Sequence, residues 1–187
     1  MRALKDTVVL IGLLLATVTV GFLTAHSKGL RTALNLAEER ARILWPGSFV
    51  PQLTLLSIDG DSVQLGRTDA DFLVYYIYNT RCPFSELSIP AWKSLTNVLT
   101  RTANVKIIGI NTAELKAAQD YAQTHALNFR TVVMNDLRTR DSHRFGAVPQ
   151  TLVMDPEGRV LLSRFGMLET GAATDSILSS VRSNPRQ

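Results

Sequence analysis

The residues Phe72-Leu73-Val74-Tyr75-Tyr76-Ile77-Tyr78 form an almost continuous apolar and aromatic run. A strand with one wet face alternates, and this run does not, so it predicts a central sheet strand covered on both sides. It runs out through Asn79-Thr80-Arg81 to Cys82-Pro83-Phe84-Ser85, where a helix is expected to begin. Cys82 is the single cysteine among 187 residues, which excludes an internal disulfide framework and a cysteine-based zinc cluster. The strand that most constrains the fold therefore leads to the chain's one thiol.

The flanking sequence supplies a partner for that strand. Val105-Lys106-Ile107-Ile108-Gly109-Ile110 reads as a second buried strand, after a helix over 85–100 with Leu87, Trp92, Leu95, Val98 and Leu99 on its inward stripe. Pro90 is expected to kink that helix, because proline removes an amide donor. A helix over 113–126 with Leu115, Ala118, Ala122 and Ala126 inward, a short strand over 129–134 and a polar helix or turn over 136–144 follow. Residues 151–154 and 159–162 pair as a hairpin across Asp155-Pro156-Glu157-Gly158, and a last helix spans roughly 171–182 with Ala173, Ile177 and Val181 toward the core. Ahead of all this, 53–58 and 62–65 make a hairpin around Asp59-Gly60-Asp61. The alternation of strands and helices is an α/β layout with a mixed sheet.

The first part of the chain is different in kind. Thr7 to Thr24 is uncharged, and at about 1.5 Å per residue its length just spans a hydrocarbon core of roughly 30 Å. A cleaved signal peptide is the competing reading, but its apolar region is usually shorter and Leu23 suits cleavage after Ala25 poorly. The expectation is a retained anchor over 1–28, a connecting amphipathic helix over 29–46 that ends at Pro46-Gly47, and a folded domain over 47–187. Arg2 and Lys5 before the span are balanced by Lys28 and Arg31 after it, so charge does not fix the orientation.

Composition excludes several functions. The chain is 45% hydrophobic and 19% charged with a net charge of +4, and its Lys and Arg are scattered. Nucleic acid is not an expected partner. His26, His125 and His143 are too far apart to make a metal-ligand spacing, so neither a metal nor a cofactor is expected.

A thiol at a helix N-terminus faces unpaired amides and the positive end of the helix dipole, which favour thiolate, the nucleophilic form. Arg81 adds the same sign of charge. Cys82 is thus a candidate nucleophile, against the plain alternative of a buried inert cysteine.

The pattern around it sharpens the choice. Cys82-Pro83-Phe84-Ser85 with Pro90 in the helix resembles the Cys-Pro-x-Cys motif of the thioredoxin-like superfamily, nearest to its membrane-anchored, TlpA-like and redoxin (AhpC/TSA-related) branch. Val148-Pro149-Gln150-Thr151, with Phe145-Gly146 ahead of it, is similar to the family's cis-proline loop, and the hairpin over 53–65 to the branch's N-terminal addition. The resemblance covers about 46–182. It implies a thioredoxin-like fold preceded by one transmembrane helix, with the domain on the extracytoplasmic (periplasmic) side. It also implies a site of Cys82, Ser85, Arg81 and Thr80, and a partner groove of Pro83, Phe84, Val148 and Pro149.

Two departures bear on activity. Ser85 stands where the second cysteine of the motif would be, and Arg81 where tryptophan usually precedes the first. A serine hydroxyl cannot attack a mixed disulfide, so an external thiol, from glutathione or a thiol- or disulfide-bearing protein, is needed to resolve it. Two alternatives stay open. One is a redox-inactive binding or assembly module, with Ser85 simply the helix N-cap and Tyr78, Phe84 and Trp92 around the groove or in the core. The other is a one-cysteine peroxidase of peroxiredoxin type, whose motif the residues Asn79 and Tyr75 do not match.

Overall fold

The computed structural model describes residues 43–182 and, ahead of them, 19–21, 23, 26–28 and 34. The chain divides into two units, Met1–Ala41 and Arg42–Gln187. Most of the anchor expected over 1–28, its span over 7–24 included, and most of the connecting helix expected over 29–46 lie outside the described residues. Those described in the first unit are helical. Among the described residues no helix is long and apolar enough to cross a membrane. Ile43 and Leu44 are not helical, contrary to the expected helix, and both are buried in the core of the second unit.

The second unit is built on a five-stranded mixed sheet. Strand β1 (Leu53–Leu56) and β2 (Ser62–Leu65) form a separate antiparallel hairpin. They are followed by β3 (Phe72–Tyr78), α1 (Pro83–Thr102), β4 (Val105–Asn111), α2 (Leu115–Thr124) and β5 (Arg130–Val133). Then come α3 (Leu137–Ser142), β6 (Gln150–Met154), β7 (Val160–Phe165) and α4 (Ala172–Arg182). The sheet order is β5-β4-β3-β6-β7, with β3 in the centre. It lies parallel to β4 from Phe72↔Val105 to Tyr78↔Asn111, and antiparallel to β6 from Leu73↔Met154 to Ile77↔Gln150.

All seven residues of β3 are buried, as the unbroken apolar run requires. Their side chains divide by the two-residue period of a strand. Leu73, Tyr75 and Ile77 face a layer that includes Val63, Leu65, Leu44 and Phe145. Phe72, Val74, Tyr76 and Tyr78 face Trp92, Leu95, Leu99 and Ile177 on the helices. At about 1.5–3 kcal/mol for each large side chain buried, this one strand carries a substantial part of the core energy. Gly109 of β4 answers to the same packing: a Cβ there would stand 2.7 Å from the Phe129 ring, which is set edge-on against Tyr76.

Three local expectations are corrected. Helix α1 spans Pro83–Thr102 rather than 85–100: it begins at Pro83, where proline lacks only an amide that a helix start leaves unpaired, and Pro90 lies within it. Its inward face runs through Ser85, Ser88, Ile89, Ala91, Trp92, Leu95, Thr96 and Leu99, so Leu87 lies on the outer face and is 60% exposed. On α2 only Ala118 is fully buried, while Leu115 and Ala126 are exposed.

Candidate functional site

The parallel strands β3 and β4 end side by side, and the turn that leaves β3 is held by one residue, Asn79. Its side-chain oxygen accepts from the Arg81 amide at 2.9 Å, and its carbonyl accepts from the Cys82 amide at 3.1 Å. Its side-chain amide donates to Thr112 Oγ1 at 2.9 Å, just beyond the end of β4. Its own backbone amide donates to Ser85 Oγ at 3.3 Å. Four hydrogen bonds thus fix the path from strand to helix. A thiol held this way has a defined place without being enclosed.

Cys82 is the N-cap residue of α1, extended in backbone (φ −92°, ψ 113°), and no side chain caps the helix. Its carbonyl already accepts from the Ser85 and Glu86 amides, at 3.0 and 3.2 Å. The thiol is half-buried and donates to the carbonyl of Val148 at 3.9 Å. The Val148–Pro149 peptide bond is cis. The loop resembling the family's cis-proline loop therefore stands directly against the cysteine.

That loop is tied to α1 and β7. Gly166 donates its amide to the Pro149 carbonyl at 2.9 Å, and the Leu168 amide donates to Ser88 Oγ at 3.0 Å. Trp92 Nε1 donates to Thr151 Oγ1 at 2.9 Å, two residues past the proline. The cysteine and Val148 are thus positioned by elements that are bonded to each other as well as to the sheet.

Ser85 is not the N-cap that the alternative reading assigned to it. It lies in the first turn of α1, is 0% exposed, and its hydroxyl oxygen is engaged by the Asn79 amide. Of the remaining site residues, Arg81 is exposed and Thr80 half-buried, while Pro83 and Phe84 are exposed and Pro149 is buried. Phe84, at 57% exposure, is the one aromatic of the three that stands free, since Tyr78 and Trp92 are in the core. Asp141 and Arg144 are exposed, and the ring of His143 bonds back to Thr139 of its own helix at 2.8 Å. His143 and Arg144 line a separate hollow of about 300 Å³ with Leu44 and Phe49.

Sequence reasoning missed Asn79, Thr112 and Ser88 as positioning residues. An Asn at the end of a buried strand is a turn signal that identifies the first. The other two act across 33 and 80 residues of chain, with no local signal. Burial, with Glu86, Tyr78 and Cys82 nearby adding to it, pushes the Tyr121 phenol well above its ordinary value. Among the described residues no group of three His, Cys, Asp or Glu is gathered that could hold a metal ion.

Comparison with known proteins places this geometry. The chain is 23% identical over 133 residues, 71% of each chain, to the thiol-disulfide oxidoreductase ResA of Bacillus subtilis. It is similar in structure to the thioredoxin domain of a thiol-disulfide oxidoreductase from Bacteroides vulgatus, with a TM-score of 0.62 at 17% identity over 74% of this chain and 99% of that one. Peroxidoxin BcpB of Mycobacterium tuberculosis is similar too, with a TM-score of 0.60 at 17% identity over 74% of this chain and 96% of that one. The fold is therefore thioredoxin-like. The AhpC/TSA family model matches residues 46–163, most of the described domain, and the chain belongs to the AhpC/TSA family.

Proposed function

We propose that this is a membrane-anchored thioredoxin-like protein that takes part in thiol–disulfide exchange through Cys82 alone. The observation that carries the reading is the contrast between two positions one helical turn apart. Cys82 sits half-buried at a helix start with its thiol on Val148 of the cis-proline loop. Ser85 lies fully buried where a resolving thiol would have to act.

In the first step the Cys82 thiolate attacks a partner's disulfide, forming a Cys82–partner disulfide and releasing the partner's other sulfur as a thiolate. In the second, an external thiolate attacks that mixed disulfide. Attack at the Cys82 sulfur expels the partner's thiolate and leaves Cys82 joined to the external thiol. Attack at the partner's sulfur frees the Cys82 thiolate. The chain's own Ser85 performs neither step. The ResA similarity supports the reaction class, and the proposed partner is a thiol- or disulfide-bearing protein or glutathione. The apolar run over 7–24 supports anchoring, and the resemblance to the membrane-anchored TlpA-like branch is the ground for placing the domain on the extracytoplasmic side.

Acid-quenched covalent capture in native membranes, comparing the native chain with Cys82→Ser, tests this. Mixed disulfides that map to Cys82 and vanish in the variant support it. An unreactive thiol in the folded protein, with partners retained non-covalently by both forms, would favour a binding module. Sulfenic acid at Cys82 with thiol-dependent peroxide consumption would favour a peroxidase.

A further inference from the structure

The sheet order sets two different environments on either side of Cys82. The cysteine follows the central strand β3; the cis-proline loop leads into β6 on one side, and β4 and β5 lie on the other. On that second side, the chain just past the carboxyl ends of β3, β4 and β5 lines a cleft of about 270 Å³. Open α/β sheets bind ligands at such strand ends. The cleft is small, on the scale of an amino acid or short peptide rather than of a folded partner's surface.

Its lining has a definite chemistry. Thr80 and Arg81 come from the turn immediately before Cys82, Glu114 and Ala117 from the start of α2, and Asn135 from beyond β5. The Arg81 guanidinium has no carboxylate partner among the described residues, where the salt bridges are Lys116–Asp120 and Arg130–Asp61. The Glu114 carboxylate is held by the Asn135 side-chain amide at 3.0 Å rather than by a cation. A residue with an uncommitted cation and one with a carboxylate thus line the same small space from different elements, with Thr80 beside them. This pattern is complementary to a zwitterion.

Thiolate–disulfide exchange proceeds in line, with the attacking and leaving sulfurs on opposite sides of the sulfur under attack. A partner sulfur that lies along Val148 leaves on the cis-proline side. An attacker on the Cys82 sulfur must then approach from the opposite side, and the cleft, lined by the two residues that precede Cys82 though not by Cys82 itself, lies toward β4, across β3 from the cis-proline loop.

We propose that this cleft binds the resolving thiol, a small zwitterionic thiol of the cysteine or glutathione class, with its carboxylate toward Arg81 and its ammonium toward Glu114. This rests on the reading of Cys82 as a single-thiol exchange centre. Attack by the bound thiolate at the Cys82 sulfur forms a Cys82–small-thiol disulfide and expels the partner as a free thiolate. A second equivalent of the same thiol then releases Cys82 and leaves as the symmetrical disulfide.

The test charges Cys82 of the full chain with thionitrobenzoate, whose low-basicity thiolate is the preferred leaving group and is read by absorbance. Release is followed with glutathione, cysteine, the neutral mercaptoethanol and the cationic cysteamine. Each rate is normalised to the same thiol acting on a free thionitrobenzoate disulfide. The expected result is saturation with glutathione and cysteine, linear dependence for the other two, and a normalised preference for the zwitterions. Arg81→Ala should lower the glutathione-to-mercaptoethanol ratio about three- to fivefold, the scale of one exposed ion pair. Ala117→Phe, which fills the cleft, should lower it as well. Linear kinetics at the mercaptoethanol rate, or a ratio that neither variant changes, would overturn the proposal. A second measurement separates the two readings: S-methylglutathione, which cannot react, should shift amide resonances at 79–81, 112–117 and 135. No shift while Cys82 still accepts thionitrobenzoate would sink the cleft and leave the exchange centre. A Cys82 that accepts no thionitrobenzoate in the folded protein would sink both.

Discussion

The body of β3 and the turn that leaves it are neighbours in sequence and opposites in physics. From Phe72 to Tyr78 every side chain is buried and nearly every contact is apolar or aromatic. From Asn79 to Ser85 the chain is held by hydrogen bonds made by one asparagine, and Thr80, Arg81, Pro83 and Phe84 reach at least partly into solvent. The first region stores the stability, and the second spends very little of it to place one thiol. Packing tolerates no polar surprise, whereas a hydrogen-bonded turn can change its chemistry residue by residue without endangering the sheet. That is how a serine can stand at 85 inside an otherwise intact frame.

If the body carries the stability, damage there should cost most. Trp92 is 1% exposed, stacks on Tyr76 at 5.3 Å between ring centroids and donates to Thr151. Trp92→Ala should destabilise the domain by about 3–5 kcal/mol, as large-to-small changes of buried aromatics do, measured by denaturant unfolding. A loss below about 1 kcal/mol would break the comparison at its strong end.

Alkaline titration probes the same region without a mutation. Burial pushes the Tyr75 phenol up to about 12 from an ordinary 10.0, an effect partly offset by the Gly66 amide that donates to it at 2.9 Å. A raised folded-state value means that the unfolded chain gives up the proton first. The stabilisation is complete below pH 10 and is lost as pH rises from there through about 12. Tyr75 alone should contribute about 2–3 kcal/mol to the loss across that window, to which the likewise raised phenols of Tyr76, Tyr78 and Tyr121 add, seen as phenolate absorbance appearing together with unfolding. Phenolate absorbance growing in the folded state near pH 10 would contradict the burial argument.

The turn should respond differently. Asn79→Ala removes the bonds to the Arg81 amide and Thr112 but touches no core contact. The expected cost is about 1–2 kcal/mol, smaller than that of Trp92→Ala, together with a marked slowing of disulfide formation at Cys82. Thiol reactivity unchanged in a measurably destabilised variant would mean that Asn79 supports the fold and does not position the cysteine.

What could be read in the sequence divides along the same line. The central strand, both hairpins, the cysteine at the head of a helix and the proline at 149 are local patterns, and local patterns survive as structure. The apolar residues around Leu87 suggest an inward stripe that includes it, yet Leu87 is exposed. The real face is carried through its first two turns by Ser85 and Ser88, which are buried because their hydroxyls have partners. Leu115 and Ala126 differ from the expected pattern for a similar reason: α2 buries Ala118, and Leu115 at its start and Ala126 just past its end are exposed. At the site the thiol was legible, but its supports were not. Thr112 reaches Asn79 from 33 residues away, and Leu168 reaches Ser88 from 80. Such bonds exist only once the sheet has brought the strand ends together.

The central claim is that this chain forms a mixed disulfide it cannot resolve by itself. The most direct measurement is the lifetime of a purified Cys82–peptide disulfide in the native full chain, followed by mass with no free thiol present and then with thiol added. The account predicts that the adduct persists until external thiol is supplied and is then released at a rate that depends on that thiol. Release of the peptide without added thiol would contradict it.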